Sequence, residues 1–237
     1  MVNYEDVTLC KLALASIMYD SLTPFNRSLR RLDKATGGSM DLNNPEHSIY
    51  LLRWLNEWGC RNLPKEQHDV ALNSILKWYQ VYGASLFSNE RSIWDSVDGE
   101  LEIAASSYGS LKDEIGAWRV RGGSKRKVHI GPTAASKILF TIRPKALMPW
   151  DEAMRISFDC DGSPESYCKY LIKIRGLTLH IGKLCRNKGF QIDDLPHKLG
   201  RPNSTVLALV NEYIWVTVTR KVELPSSEIL RQWASLG

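Results

Sequence analysis

The chain has 237 residues, 43% of them hydrophobic and 24% charged, with 31 Lys and Arg against 26 Asp and Glu for a formal charge of +5. Such a balance excludes a disordered or fibrous chain, and the length suits one sizeable domain, or two helical lobes sharing a cleft, rather than several domains. So small a positive excess favours a polyanionic partner only weakly; where the cations cluster matters more.

Apolar residues at helical spacing (Val7, Cys10, Leu14, Ile17, Met18) predict a first helix over residues 4–19, broadened by Leu9 and Leu12. Residues 21–45 turn polar and are read as a loop around a short basic helix with Arg27, Arg30, Arg31 and Lys34. A helix over 46–58 follows, with Trp54 and Trp58 one turn apart as core aromatics and Gly59 as its C-cap. A third long helix covers 65–86, and two more are predicted at 90–107 and 110–118. Next, R-V-R-G-G-S-K-R-K places Arg119, Arg121, Lys125, Arg126 and Lys127 around a Gly-Gly turn, the densest positive patch in the chain and suited to phosphate.

The stretch 128–155 reads V-H-I-G-P-T-A-A-S-K-I-L-F-T-I-R-P-K-A-L-M-P-W-D-E-A-M-R. A glycine turn opens an apolar helix, a Pro-containing loop closes it, and Asp151 stands where the next helix begins, a good N-cap. A role beyond capping requires one of its carboxylate oxygens to stay free. Beyond it come a short helix to Phe158, a turn over 159–162, and a long helix from Pro164 to about Asn187 with Ser163 as N-cap. Residues 189–202 read as loop, 204–218 as an apolar helix with a β-branched end, and 226–235 as a last helix. Strand alternation is nearly absent, so the expected fold is all-α and a single unit over 1–237.

Five cysteines, odd in number and without a C-x-x-C pair, point to free thiols in a reducing compartment and to no metal site. No leader pattern and no apolar run of membrane-spanning length is seen, so the expectation is a cytoplasmic protein with no membrane contact.

The stretch I-G-P-T-A-A, K-I-L-F and P-W-D resembles the helix-hairpin-helix DNA glycosylase superfamily, whose motif runs roughly L-P-G-V-G-x-K-T-A, an apolar helix, then P-x-V-D. The family's Gly-x-Lys-Thr-Ala falls on Gly131, Pro132, Thr133, Ala134 and Ala135, and its aspartate on Asp151, eighteen residues after Thr133 as in the endonuclease III branch. His129 stands for the first hairpin glycine, and the iron-sulfur cysteines of that branch are absent. The resemblance implies two helical lobes flanking a cleft and a helix-hairpin-helix that holds duplex DNA through amides of Ile130, Gly131 and Thr133. It implies that Asp151 stabilises an oxocarbenium-like transition state and activates water after the base is flipped out.

Thr133 in the lysine position implies base removal alone, leaving an abasic site, since a hydroxyl forms no Schiff base. Lys137, one turn further on, is the alternative amine or else a phosphate contact. Trp150, Trp118, Tyr108 and His129 are the candidate base-pocket residues. No cofactor is implied, and the expected state is a monomer on modified or damaged DNA, including bulky cytosines such as glucosylated hydroxymethylcytosine in phage DNA. The competing readings are a non-catalytic helix-hairpin-helix DNA-binding module, with Asp151 as a cap only, and a helical interaction protein.

Overall fold

The computed structural model describes residues 4–236. It is 65% helix, with eleven α-helices and one two-stranded sheet among the described residues. Helix α1 (Leu9–Leu22) is capped by Thr8, whose hydroxyl accepts from Lys11 N at 3.3 Å. It buries Leu12, Ala15, Ser16 and Tyr19. The expected stripe is rotated away from that face: Cys10 is exposed and Ile17 is 66% exposed. The face turned inward carries Leu12, Ala15 and Tyr19 into the core and Ser16 to the carboxylate of Glu212, 2.5 Å away.

Helices α2 (Phe25–Ala35) and α3 (Pro45–Glu57) pack together, the latter begun by Asn44 as N-cap and Pro45 in its first turn. Trp54 and Trp58 are buried in the core, ring centroids 4.4 Å apart. Helix α4 (His68–Tyr82) falls within the predicted third helix.

The two helices predicted over 90–107 and 110–118 are replaced by a single one, α5 (Asp98–Asp113), preceded by a 3-10 turn at Ile93–Asp95. Gly109 looks like a break in the sequence but stays helical for a packing reason: a Cβ there would lie 2.5 Å from Pro164 Cγ. After α5 the chain forms strand β1 (Ile115–Arg121), turns at Gly122 and Gly123, and returns as antiparallel β2 (Ser124–His129). Both glycines have positive φ, +59° and +77°, which the tight two-residue hairpin turn demands. Residues 110–118 are therefore not a helix of their own: 110–113 end α5, and 115–118 open the hairpin that 119–127 complete.

Helix α6 (Gly131–Ile142) starts directly from β2, so α5 is separated from α6 by the β-hairpin, although α5 and α6 pack on each other. Next come α7 (Glu152–Ser157) and the long α8 (Pro164–Arg186), where Ser163 Oγ accepts from Ser166 N as the sequence predicts. A short helix, α9 (Leu195–Lys198), interrupts the expected loop. Helix α10 (Val206–Ile214) runs into a π-helical turn, Trp215–Thr219, and α11 (Ser227–Ala234) follows.

Helix α8 packs along α5 and α1 along α10, while α6 lies against both α3 and α5. One contiguous core draws on residues from Val7 to Val216. The five thiols are all free: Cys60 and Cys185 are buried, Cys160 and Cys168 partly so, and Cys10 is exposed. No helix among the described residues is long and apolar enough to cross a membrane.

Candidate functional site

The loop from α6 to α7 is gripped by its carbonyls. Tyr167 OH donates to Met148 O at 3.0 Å and Tyr170 OH to Pro149 O at 3.1 Å. Trp150 adds two more ties, donating from N to Ser136 Oγ (3.2 Å), whose own proton goes to Thr133 O (3.0 Å), and from Nε1 to Pro132 O (3.1 Å). Burial pushes the hydroxyls of Tyr167 and Tyr170 well above their ordinary value, so both remain protonated donors.

Asp151 emerges half-buried from this clamped loop. Its Oδ1 accepts from Met154 N at 2.8 Å, capping α7, and its Oδ2 accepts from Thr219 Oγ1 at 2.8 Å. The wholly free oxygen expected from the sequence is thus not present. A carboxylate offers about four acceptor positions, however, so one lone pair on each oxygen is left over.

Lys137 is corrected by the structure. Rather than facing solvent or phosphate it is 8% exposed, with Nζ 2.6 Å from Trp58 O, the carbonyl at the C-terminal end of α3. That end of a helix carries partial negative charge and suits an ammonium. Burial lowers the Lys137 pKa, while Cys60 and Asp151 raise it.

Nζ of Lys137 also sits 5.5 Å above the Trp58 ring, which leads to a cluster that no sequence signal marks. Phe25 lies 5.5 Å from Trp58 and 6.1 Å from Trp215, and Trp215 lies 4.9 Å from Tyr19. Phe25 and Trp215 are only partly buried. The Tyr19 hydroxyl is pushed well above its ordinary value by burial first, then by the carboxylates of Glu212 and Asp151. Arg220, exposed next to Thr219, stands 5.5 Å over the Trp215 ring.

Of the four candidate pocket residues only Trp150 and Tyr108 are brought together, and they form no pocket wall. Trp150 and Tyr108 are fully buried and brace the core, the former edge-on to Tyr108 at 5.7 Å and the latter stacked on Tyr167 at 4.3 Å. Trp118 belongs to β1, where Gln67 binds its N (2.6 Å) and its O (2.9 Å). His129 is exposed, with Nδ1 2.5 Å from Asp113 O.

At the turn, Ile130 N is already spent on Glu114 O (2.9 Å), which removes it as a DNA donor. Asn62 Nδ2 donates to the carbonyls of both His129 (2.9 Å) and Ile130. Gly131, at φ +78°, and Thr133 remain in the first turn of α6, where amides have no intrahelical acceptor. Arg119, Arg121, Lys125, Arg126 and Lys127 are all exposed on the hairpin.

A cavity of about 550 Å³ opens elsewhere, between α2, the end of α6 and the start of α10, and its lining does not include Asp151. Asp33 lines it, and burial raises that carboxyl to about 6. A folded-state value above the unfolded one stabilises the fold fully below the unfolded pKa, about 3.9, and that contribution is lost as pH rises through about 6. Asp33→Asn is therefore expected to gain roughly 1–2 kcal/mol in urea unfolding near pH 8 relative to its effect near pH 3.5. The same shift at both pH values would show that the carboxyl is not destabilised by burial.

Compared with known proteins, the chain matches no family model, and no curated protein or solved structure shows significant similarity to it.

Proposed function

We propose that the protein is a monofunctional DNA N-glycosylase that flips a modified or damaged base out of duplex DNA and hydrolyses its N-glycosidic bond. The observation that carries the reading is the Asp151 carboxylate, held by Met154 N and Thr219 Oγ1 at the end of a loop tied to α6 and α8. A carboxylate fixed this firmly suits the stabilisation of positive charge developing on a sugar and the orientation of the attacking water.

Within the aromatic group, Phe25 and Trp215 are the rings left partly exposed, and Trp215 shares its π-helical turn with Thr219, the partner of Asp151, so in this reading an extruded base approaches past these two faces. The turn at Gly131 and Thr133, where α5, the hairpin and α6 meet, acts as the helix-hairpin-helix equivalent that seats a phosphate.

Lys137 takes no covalent part, because its amine is held on the Trp58 carbonyl. Borohydride added during turnover is expected to trap no protein-DNA adduct. Efficient trapping that disappears in Lys137→Met would overturn the monofunctional assignment and make this amine a nucleophile.

The test of the whole reading is release of a base. The protein is incubated with duplexes carrying normal bases, damaged bases, and glucosylated hydroxymethylcytosine of the kind found in phage DNA, and abasic sites are scored by alkaline cleavage. Release from a modified duplex is expected; none from any duplex would sink the enzyme reading. One observation favours a second reading, a non-catalytic DNA-binding module: each Asp151 oxygen already accepts a hydrogen bond, as a purely structural cap would. That reading requires duplex binding without base release.

A further inference from the structure

The outer half of the β1–β2 hairpin plays no part in the site around Asp151, and its construction looks outward. Every residue of 119–127 is exposed, including Val120 at 71%. Five of these nine are cations, and residues 115–129 contain no Asp or Glu. None of the five has an ion-pair partner among the described residues.

Their arrangement is two-sided. The register sets Arg119 directly opposite Arg126 and Arg121 opposite Ser124 on one face, while Lys125 and Lys127 share the other face with Val120 and Trp118. Lys125 Nζ rests 4.6 Å over the Trp118 ring. Like charges directly across a strand pair destabilise it, so an Arg119–Arg126 pair weakens the ribbon unless an anion lies between or beside them. A merely solvated turn has no need of such a pair.

The inner half, by contrast, is anchored. The Gln67 amide binds both main-chain groups of Trp118, α4 packs against β1, and Asn62 holds the His129 carbonyl. The ribbon is thus a fixed arm rather than a loose loop.

Dimensions then select the partner. From the Trp118–Lys127 pair to the glycine turn is four residues, about 13 Å at roughly 3.3 Å per residue. The major groove of B-form DNA, about 12 Å wide and about 8.5 Å deep, admits a two-stranded ribbon, whereas its minor groove, about 6 Å wide, takes one only when the duplex is bent and widened. The major groove of A-form RNA is too deep and narrow for side chains to read.

We propose that residues 115–129 form a groove-entering arm for B-form DNA, with the ribbon lying in the major groove, its Gly122-Gly123 tip leading, and its arginine and lysine faces turned to the two phosphate walls. The inference rests on the DNA-binding part of the function proposed above and is independent of chemistry at Asp151.

Binding of the full chain to a short DNA duplex is measured by fluorescence anisotropy across a salt series, beside an RNA duplex of the same sequence. In the variant Arg119→Ser/Arg121→Ser/Arg126→Ser/Lys127→Ser, the slope of log affinity against log salt is expected to fall in magnitude by about 3 to 4, near 0.9 for each phosphate that is no longer neutralised. Its RNA binding should not change. Dimethyl sulfate footprinting should show guanine N7, in the major groove, protected by the parent chain and not by the variant.

The charge-keeping variant Arg119→Lys/Arg121→Lys/Arg126→Lys should retain the slope, and circular dichroism should be the same for all three proteins, since every altered side chain is exposed. An unchanged slope in the serine variant, protection at adenine N3 in the minor groove, or an equal loss of RNA binding would overturn the arm. Arm-dependent DNA binding with no base release from any duplex would overturn the glycosylase and leave the arm standing.

Discussion

Asp151→Asn is expected to lower base release from a modified duplex by about 10²- to 10⁴-fold, the range that a positioned acid-base group contributes, while leaving duplex affinity within about twofold. Asparagine is chosen because it preserves what the structure already assigns to this position. Its side-chain oxygen caps a helix as well as aspartate does, so Met154 N keeps an acceptor and α7 keeps its start. What is removed is the negative charge and the acceptor of Thr219 Oγ1, whose hydroxyl turns to accept from the new amide NH2. Single-turnover base release and equilibrium binding on the same duplex separate the two roles: equal rates for parent and variant would reduce Asp151 to a cap. A fall in affinity matching the fall in rate would mean that the carboxylate organises the DNA site rather than the chemistry.

The largest effect on stability is expected far from that carboxylate. Glu212 is 1% exposed, and its oxygens accept from Ser16 Oγ (2.5 Å), Asn26 Nδ2 (2.9 Å) and Arg201 Nη2 (2.9 Å). Burial raises its pKa, and the neighbouring Ser16, Arg201 and Asn26 lower it. Arg201 also donates to Ser16 Oγ at 2.6 Å and Asp20 Oδ2 at 3.1 Å, so one guanidinium joins the chain ahead of α10 to α1. Arg201→Ala leaves a buried carboxylate without its cation and should cost about 3–5 kcal/mol in denaturant unfolding near pH 7. The double variant Arg201→Met/Glu212→Leu removes both charges and should recover most of that loss. If Arg201→Ala costs under about 1 kcal/mol, the pair behaves as a surface ion pair.

Local signals make much of the helical frame legible in the sequence: Ser163-Pro164 opening α8 and Asp151 opening α7 each stand beside the amides they serve. The hairpin is hidden because its outer half is polar on both faces, which erases the alternation that a half-buried strand displays. Gly109 misleads for the opposite reason, as its lack of a side chain serves a distant contact with Pro164. The sequence neighbours of Lys137 say little about it, since its position is decided by the end of α3, seventy-nine residues earlier. The aromatic group is illegible in the same way: residues 19, 25, 58 and 215 meet only through tertiary packing. Thr219, the second partner of Asp151, lies sixty-eight residues beyond it, and no motif spans that distance.

Main-chain oxygens, not side chains, are what Tyr167 and Tyr170 grasp in the loop before Asp151. Every amino acid has that oxygen, so their grip is indifferent to which residues occupy positions 148 and 149. Chemical identity and spatial placement are thereby uncoupled at these two positions, while Trp150 adds a side-chain tie of its own. Met148 and Pro149 are free to answer to the surrounding core, and Asp151 inherits an address that does not depend on their side chains.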